Sequence, residues 1–183
     1  MKDTFIGILM LGSMLGLVCT GGLAVAGGGD GAWSRTSRVV IERPASDVFA
    51  YLAEPGKRLL WIEGLTDSRN AEPGRVRLQS RLEEVLHLRG EPVSVQVEVT
   101  AWEPEELLVT SSRLGTLTLT ERFELSGSLH RTRLVYTLEG QGEGLIWKLF
   151  EPILSARISA RRNRSLKHLE QLLEGTLPAR RDP

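Results

Sequence analysis

Cysteine is almost missing from this 183-residue chain: Cys19 stands alone, inside an apolar leader. No intramolecular disulfide can form and no cysteine-based metal site can assemble, so cysteine usage does not reveal the compartment. An excess of either charge is missing too. Basic and acidic residues number 23 each, which argues against nucleic acid as the main partner. Histidine is scarce. His87 falls on the polar side of a strand and His130 in a turn, neither with a Ser/Asp or Cys partner in pattern, which supports neither a triad nor a zinc site. No metal, cofactor or catalytic residue is therefore expected from motif.

What is present begins with the leader. Residues 5–26 carry no charge and are long enough to cross a bilayer as one helix. Two readings stand: a retained membrane anchor, or a signal peptide cleaved after Ala26, where "Ala24-Val25-Ala26" precedes a glycine run. A lipoprotein reading fails, because "Gly16-Leu17-Val18" before Cys19 is no lipobox. The n-region is weak, since Asp3 offsets Lys2, and arginines downstream leave the orientation open. The expected division is a membrane segment over 1–26, a flexible linker over 27–36, one folded domain over 37–175 and a frayed tail over 176–183. About 150 residues after the leader can bury roughly 70% of the unfolded chain's surface without a staple.

The domain opens on a β-branched strand at Arg38–Glu42, stopped by Pro44. A short helix follows, capped by Ser46 or Asp47 and burying Val48, Phe49 and Leu52; a second is expected over 57–62. From there to Gly140 the period is two. Apolar registers are Val76, Leu78, Leu82, Leu86 and Leu88, then Val93, Val95, Val97, Val99 and Ala101. Next come Leu117, Leu119, Phe123 and Leu125, and finally Leu134, Tyr136 and Leu138. One apolar and one polar face describe an antiparallel sheet with one solvated side. A long helix is expected to start at Pro152 and end at Gly175, with Leu154, Ile158, Leu169 and Leu172 on one face.

This layout is an α+β fold: a curved antiparallel β-sheet wrapped around a long C-terminal α-helix, preceded by an N-terminal hydrophobic helix. The segments "VVIERPASDVFAYLAEPGKRLLW", "VRLQSRLEEVLHLRGEPVSVQVEVTAWEPEELLVTSS", "LTLTERFEL", "TRLVYTLEG" and "FEPILSARISARRNRSLKHLEQLLE" resemble the SRPBCC superfamily. These are the START-related helix-grip proteins, polyketide cyclase/dehydrase-like members among them. The resemblance covers nearly all of the chain from Ser37 to Glu174, and a membrane segment in front of the domain resembles some of its members. It implies a cavity between sheet and helix that holds a lipid-like or polycyclic molecule, with no universal catalytic residue.

Four polar residues break the inward apolar registers: Ser80, Glu84, Glu121 and Tyr136. A buried carboxylate needs a partner, water or a ligand, and desolvation alone would raise its pKa. On that footing, replacing either glutamate by Gln should leave stability unchanged or better. Alternatively a bulge at Glu83-Glu84 flips the register, or Glu121 sits at a strand end in solvent. Trp61 and Trp147 either line the cavity mouth or belong to the core. Arg157, Arg161, Arg164 and His168 form a stripe on the last helix, either a solvated face or a contact for anionic headgroups. An apolar gap of a few hundred Å³ is expected between sheet and helix. The functional expectation is a membrane-targeted binding or carrier protein for a small hydrophobic ligand. The alternatives are a cyclase/dehydrase-type enzyme using Glu84 or Glu121 as acid/base, and a ligand-free structural module.

Overall fold

The computed structural model of the protein describes residues 32–88 and 90–176, the side chains of 145–150 excepted. The expected anchor or signal at 5–26, the linker residues 27–31 and the tail from 177 lie outside the described residues. Among those described, no helix is long and apolar enough to cross a membrane.

Seven strands and three helices follow in the order β1 (Ala32–Ile41), α1 (Ala45–Ala53), α2 (Pro55–Arg58), β2 (Leu65–Asn70), β3 (Arg81–Leu88), β4 (Glu91–Glu103), β5 (Leu107–Leu114), β6 (Leu117–Ser128), β7 (Arg131–Gly142) and α3 (Leu145–Glu174). The strands make one sheet in the order β1-β7-β6-β5-β4-β3-β2, and each neighbouring pair is antiparallel. The antiparallel sheet and long C-terminal helix expected from the alternating pattern are observed, in the helix-grip architecture that the resemblance implies.

The strand ends sort into two ends of the sheet. Ala32 faces Gln141 where β7 finishes, beside the turns that join β3 to β4 and β5 to β6 and beside the start of α3. At the opposite end Ile41 faces Thr132, and the β4–β5 and β6–β7 turns gather with α1. α3 runs from the first end to the second. Its last turn is fastened there by Glu174, which accepts the Glu42 N–H, and by Arg43, whose Nε donates to the Leu173 carbonyl at 2.6 Å.

Several expectations need correction. β1 begins at Ala32, so residues 32–36 are strand rather than linker; Trp33 is buried with its indole against Gly140, where a Cβ would overlap the ring. α1 starts at Ala45 without a side-chain cap from Ser46 or Asp47, because the Pro44 carbonyl accepts from the Val48 N–H. α2 is a single turn with Pro55 at its start, and the chain over Leu59–Ile62 continues as turns. β3 begins at Arg81, not Val76. Pro73-Gly74 and a left-handed Gln79 make residues 71–80 a loop, and it rejoins the sheet through Gln79 and Ser80 against Val99.

In β4 a bulge between Val99 and Ala101 shifts the alternation by one. Trp102, rather than Ala101, therefore meets α1, edge-on to Phe49 at 4.9 Å. β3 pairs with β4 without interruption from Arg81 to Leu88, so there is no bulge at Glu83-Glu84. α3 begins at Leu145, placing Pro152 inside the helix. Proline lacks the N–H that would bond back one turn. The cost is tolerated at Pro152, which is solvent-exposed. The buried face of α3 is Leu166, Leu169 and Leu173, while Leu154, Ile158 and Leu172 are half-buried.

Candidate functional site

The inward registers of β3 and β6 do bring Glu84 and Glu121 to the concave face, and both are almost completely buried, at 3% and 4% exposure. Glu121 lies mid-strand opposite Leu138, which rules out a solvated strand end. A carboxylate in such a place must be matched by a cation. Two arginines supply the match.

Arg58, the last residue of α2, is 1% exposed. Its Nε donates to Glu84 Oε1 at 2.7 Å, its Nη2 approaches Oε2 at 3.4 Å, and its Nη1 donates to the Leu52 carbonyl at 3.0 Å. Ser68 on β2 adds a hydroxyl bond to Glu84 Oε1 at 3.1 Å. From α3, Arg162 places Nε 3.1 Å from Glu121 Oε1, and its Nη2 donates to Oε2 at 3.1 Å. The Tyr136 hydroxyl on β7 donates to Glu121 Oε1 at 2.7 Å. Two guanidinium groups, two carboxylates and a phenol from five elements thus meet under the middle of α3. The charges balance.

Electrostatics follows from this arrangement. Burial pushes the Glu84 carboxyl up, yet the charge and hydrogen bond of Arg58, with Arg162 and Ser68 behind it, hold it below the usual carboxylate value. The expected rise in its pKa is therefore corrected, because the expectation lacked the partner. Burial raises the Tyr136 phenol well above its ordinary value and the Glu121 charge raises it further, so Tyr136 stays a protonated donor. For Arg162, burial opposes the charge but Glu121, Tyr136 and Glu84 outweigh it, and its pKa is raised.

A pH dependence follows. Glu84 has a folded pKa below its unfolded one, so its contribution to stability is complete above the unfolded value, about 4.3. It is lost as pH falls through the depressed folded value. Urea midpoints measured from pH 7 down to pH 3 should drop more steeply for the wild-type chain than for Arg58→Met/Glu84→Leu, which has no such pair.

The remaining sequence candidates are placed as follows. Trp61 is buried against Phe123, its Nε1 donating to the Tyr51 carbonyl at 2.8 Å, as a core residue does. Ser80 is in the loop before β3, where its hydroxyl accepts from the Arg77 N–H; it does not join the network. Trp147 lies in the first turn of α3, and its side chain is outside the described residues. The basic stripe divides. Arg161 Nε and Nη2 donate to the Glu63 carbonyl at 2.9 and 2.5 Å, and Nη2 also reaches the His87 carbonyl at 3.1 Å. Arg164 pairs with the Glu63 carboxylate at 2.8 Å, and that hydrogen bond lowers the Glu63 pKa. Arg157 is exposed and His168 half-buried. Half of the stripe is thus engaged in clamping α3 to the corner between α2 and β2, where the Ser165 hydroxyl also accepts from the Glu63 N–H.

The expected apolar gap under α3 is corrected at its centre, which the ionic network occupies. Over β3, β4 and β5 coverage of the concave face then falls off toward the Ala32 end, while Leu117 and Leu119 on β6 and Trp33 on β1 stay buried there. Along β3 burial goes from Leu82 and Glu84 to half-buried Leu86 and Leu88. Along β4 it goes from Val99, Val97 and Val95 to half-buried Val93, and along β5 from Leu108 and Thr110 to half-buried Ser112 and Leu114. The other end is sealed by α1, with Val48, Phe49 and Leu52 in the core. A separate cleft of about 680 Å³ lies outside the network, between α1, Val76 and Trp102. Among the described residues, no three His, Cys, Asp or Glu side chains come together as a metal site.

Sequence reasoning missed Arg58, Ser68 and Arg162. A signal for Arg162 existed: it stands four residues from both Ile158 and Leu166, within the apolar stripe, where an arginine needs an interior acceptor.

A family model described as polyketide cyclase/dehydrase and lipid transport matches residues 32–174. Among solved structures, the Zhui aromatase/cyclase from Streptomyces sp. R1128 aligns with a TM-score of 0.67 at 13% identity, covering 83% of this chain and 99% of that one. TTHA0849 from Thermus thermophilus aligns with a TM-score of 0.64 at 16% identity, covering 79% and 99%. Ara h 8.0201 aligns with a TM-score of 0.63 at 10% identity, also covering 79% and 99%. At these identities the likeness is one of fold. No curated protein sequence matches the chain.

Proposed function

Because the chain belongs to the polyketide cyclase/dehydrase and lipid transport family, we propose that it is a membrane-targeted binding or carrier protein for a small hydrophobic ligand. The ligand lies between the sheet and the N-terminal half of α3. The observation that carries this reading is the uncovering of the concave face over β3, β4 and β5: Leu86, Leu88, Val93 and Leu114 are left half-buried beside the polar floor made by Arg162, Glu121 and Tyr136. An apolar body would cover those side chains and gain roughly 25 cal/mol per Å² of apolar surface removed from water. A polar group at its inner end would meet the floor. Membrane targeting rests on the uncharged stretch 5–26.

The enzyme reading needs a carboxyl that can exchange a proton with substrate. Glu84 is poorly suited, being held ionised by Arg58. Glu121 sits beside a phenol that stays protonated, and this pair is the specific observation in favour of an acid/base role. Native mass spectrometry of the full-length chain, purified in mild detergent, tests the main reading. A small hydrophobic molecule released on denaturation is the expected result. A ligand-free mass, with no uptake from a panel of lipids and polycyclic compounds, would leave the structural-module reading in its place.

A further inference from the structure

Resting on that binding reading, we propose that the site takes ligands whose inner end is an uncharged oxygen, a ketone or a hydroxyl, and rejects those that end in a carboxylate. The charge count of the buried network carries this.

Among the described residues, two guanidiniums meet two carboxylates there: Arg58 with Glu84, and Arg162 with Glu121. Their side chains keep between 1% and 13% of their surface. Tyr136 adds no charge, since its phenol stays protonated. The network is therefore neutral before any ligand arrives. A ligand carboxylate at the floor would set three anions against two cations, in a place where an unmatched charge is costly to bury. It would also stand beside Glu121, and like charges repel most where water is excluded. Arg161 and Arg35 do not alter the count. The first is held by the Glu63 and His87 carbonyls, and the second donates to the Ser34 carbonyl on the edge strand β1.

A neutral oxygen fits what the floor still offers. Arg162 commits Nε and Nη2 to Glu121. Its Nη1 has no hydrogen-bond partner among the described residues, and unlike the Trp33 indole N–H it is not closed off from water. A guanidinium nitrogen donates and never accepts, so the group that meets it must be an acceptor. A ketone or hydroxyl oxygen satisfies it without adding charge.

The test is equilibrium dialysis of the full-length chain in lipid nanodiscs at neutral pH, with empty nanodiscs of the same lipid as the blank. The probes are naphthalene, 2-acetylnaphthalene and 2-naphthoate. They share one ring system, and the last two differ by a methyl group in place of an ionised oxygen. The ketone should bind at least about tenfold more tightly than the carboxylate, and more tightly than naphthalene. Glu121→Gln leaves one carboxylate against two guanidiniums and should abolish or reverse the preference. Arg162→Gln removes the donor and should bring the ketone down to the affinity of naphthalene. Should Glu121→Gln fail to fold, the wild-type comparison and Arg162→Gln still decide. Three results would overturn the proposal and leave the binding reading standing. These are a carboxylate bound as tightly as the ketone, a preference unchanged by Glu121→Gln, or a ketone advantage over naphthalene that survives Arg162→Gln. Saturable binding of none of the three probes defeats the binding reading and this proposal with it.

Discussion

Glu84→Leu alone should cost about 3–5 kcal/mol of stability, the usual penalty for leaving one member of a buried ion pair unpartnered. Arg58 would keep its bond to the Leu52 carbonyl and lose both contacts to the carboxylate, at a site 1% exposed where water cannot replace them. Glu84→Gln should also destabilise, because it removes the charge that balances the guanidinium. This reverses the expectation drawn from the carboxylate in isolation. Removing both charges is a different experiment. Arg58→Met/Glu84→Leu should fall within about 1–2 kcal/mol of wild type, or exceed it, since replacing a whole buried pair by apolar groups is often neutral or stabilising. Urea unfolding of the two single variants and the double variant gives the coupling directly. Single-variant losses that simply add in the double would mean that the two side chains do not depend on each other.

Gly64→Ala should cost about 2–4 kcal/mol, from two sources with different remedies. Gly64 has φ of +73° at the corner before β2, a left-handed conformation that an L side chain resists. A Cβ there would also fall on Nη2 of Arg161 and within 3.1 Å of the His87 carbonyl oxygen. Arg161 would have to swing away and give up its bonds to the Glu63 and His87 carbonyls. Arg161→Ala made in the Gly64→Ala background should therefore add little, while in the wild-type background it should carry its own cost. Thermal unfolding of the four-member cycle measures the difference. Additivity would show that the guanidinium is not displaced by the new methyl group.

The sheet was legible because its apolar face repeats every second residue over four long strands, a pattern that burial of one side imposes. The expected strand over Val76–Ser80 failed for a local reason. Its alternation is real, but Pro73-Gly74 and Gln79 turn the chain, and Leu78 is left 49% exposed. The inward placement of Glu84 and Glu121 was also readable, since parity alone assigns it. Their partners were harder to see. Arg58 sits in a single helical turn with no period to reveal which way it faces, and Arg162 was indistinguishable from the arginines around it except by its spacing from Ile158 and Leu166. Pairing between distant segments is decided by the fold. Glu121 and Arg162, 41 residues apart in sequence, become neighbours only once the sheet has curved around α3.

The way α3 is fastened divides it thermodynamically. From Arg161 onward it is bonded to the α2–β2 corner, to β6 and, at Leu173 and Glu174, to the end of β1. Before that point Pro152 removes one rung of the helix's own ladder, and Leu154 and Ile158 are only half-buried. Over residues 151–160 the described apolar side chains are thus less covered than Leu166, Leu169 and Leu173 further along, so this stretch is held to the sheet less firmly than the part that follows. The C-terminal half unfolds only with the sheet. Amide protection in hydrogen exchange should therefore rise along α3 from residue 151 to beyond residue 160.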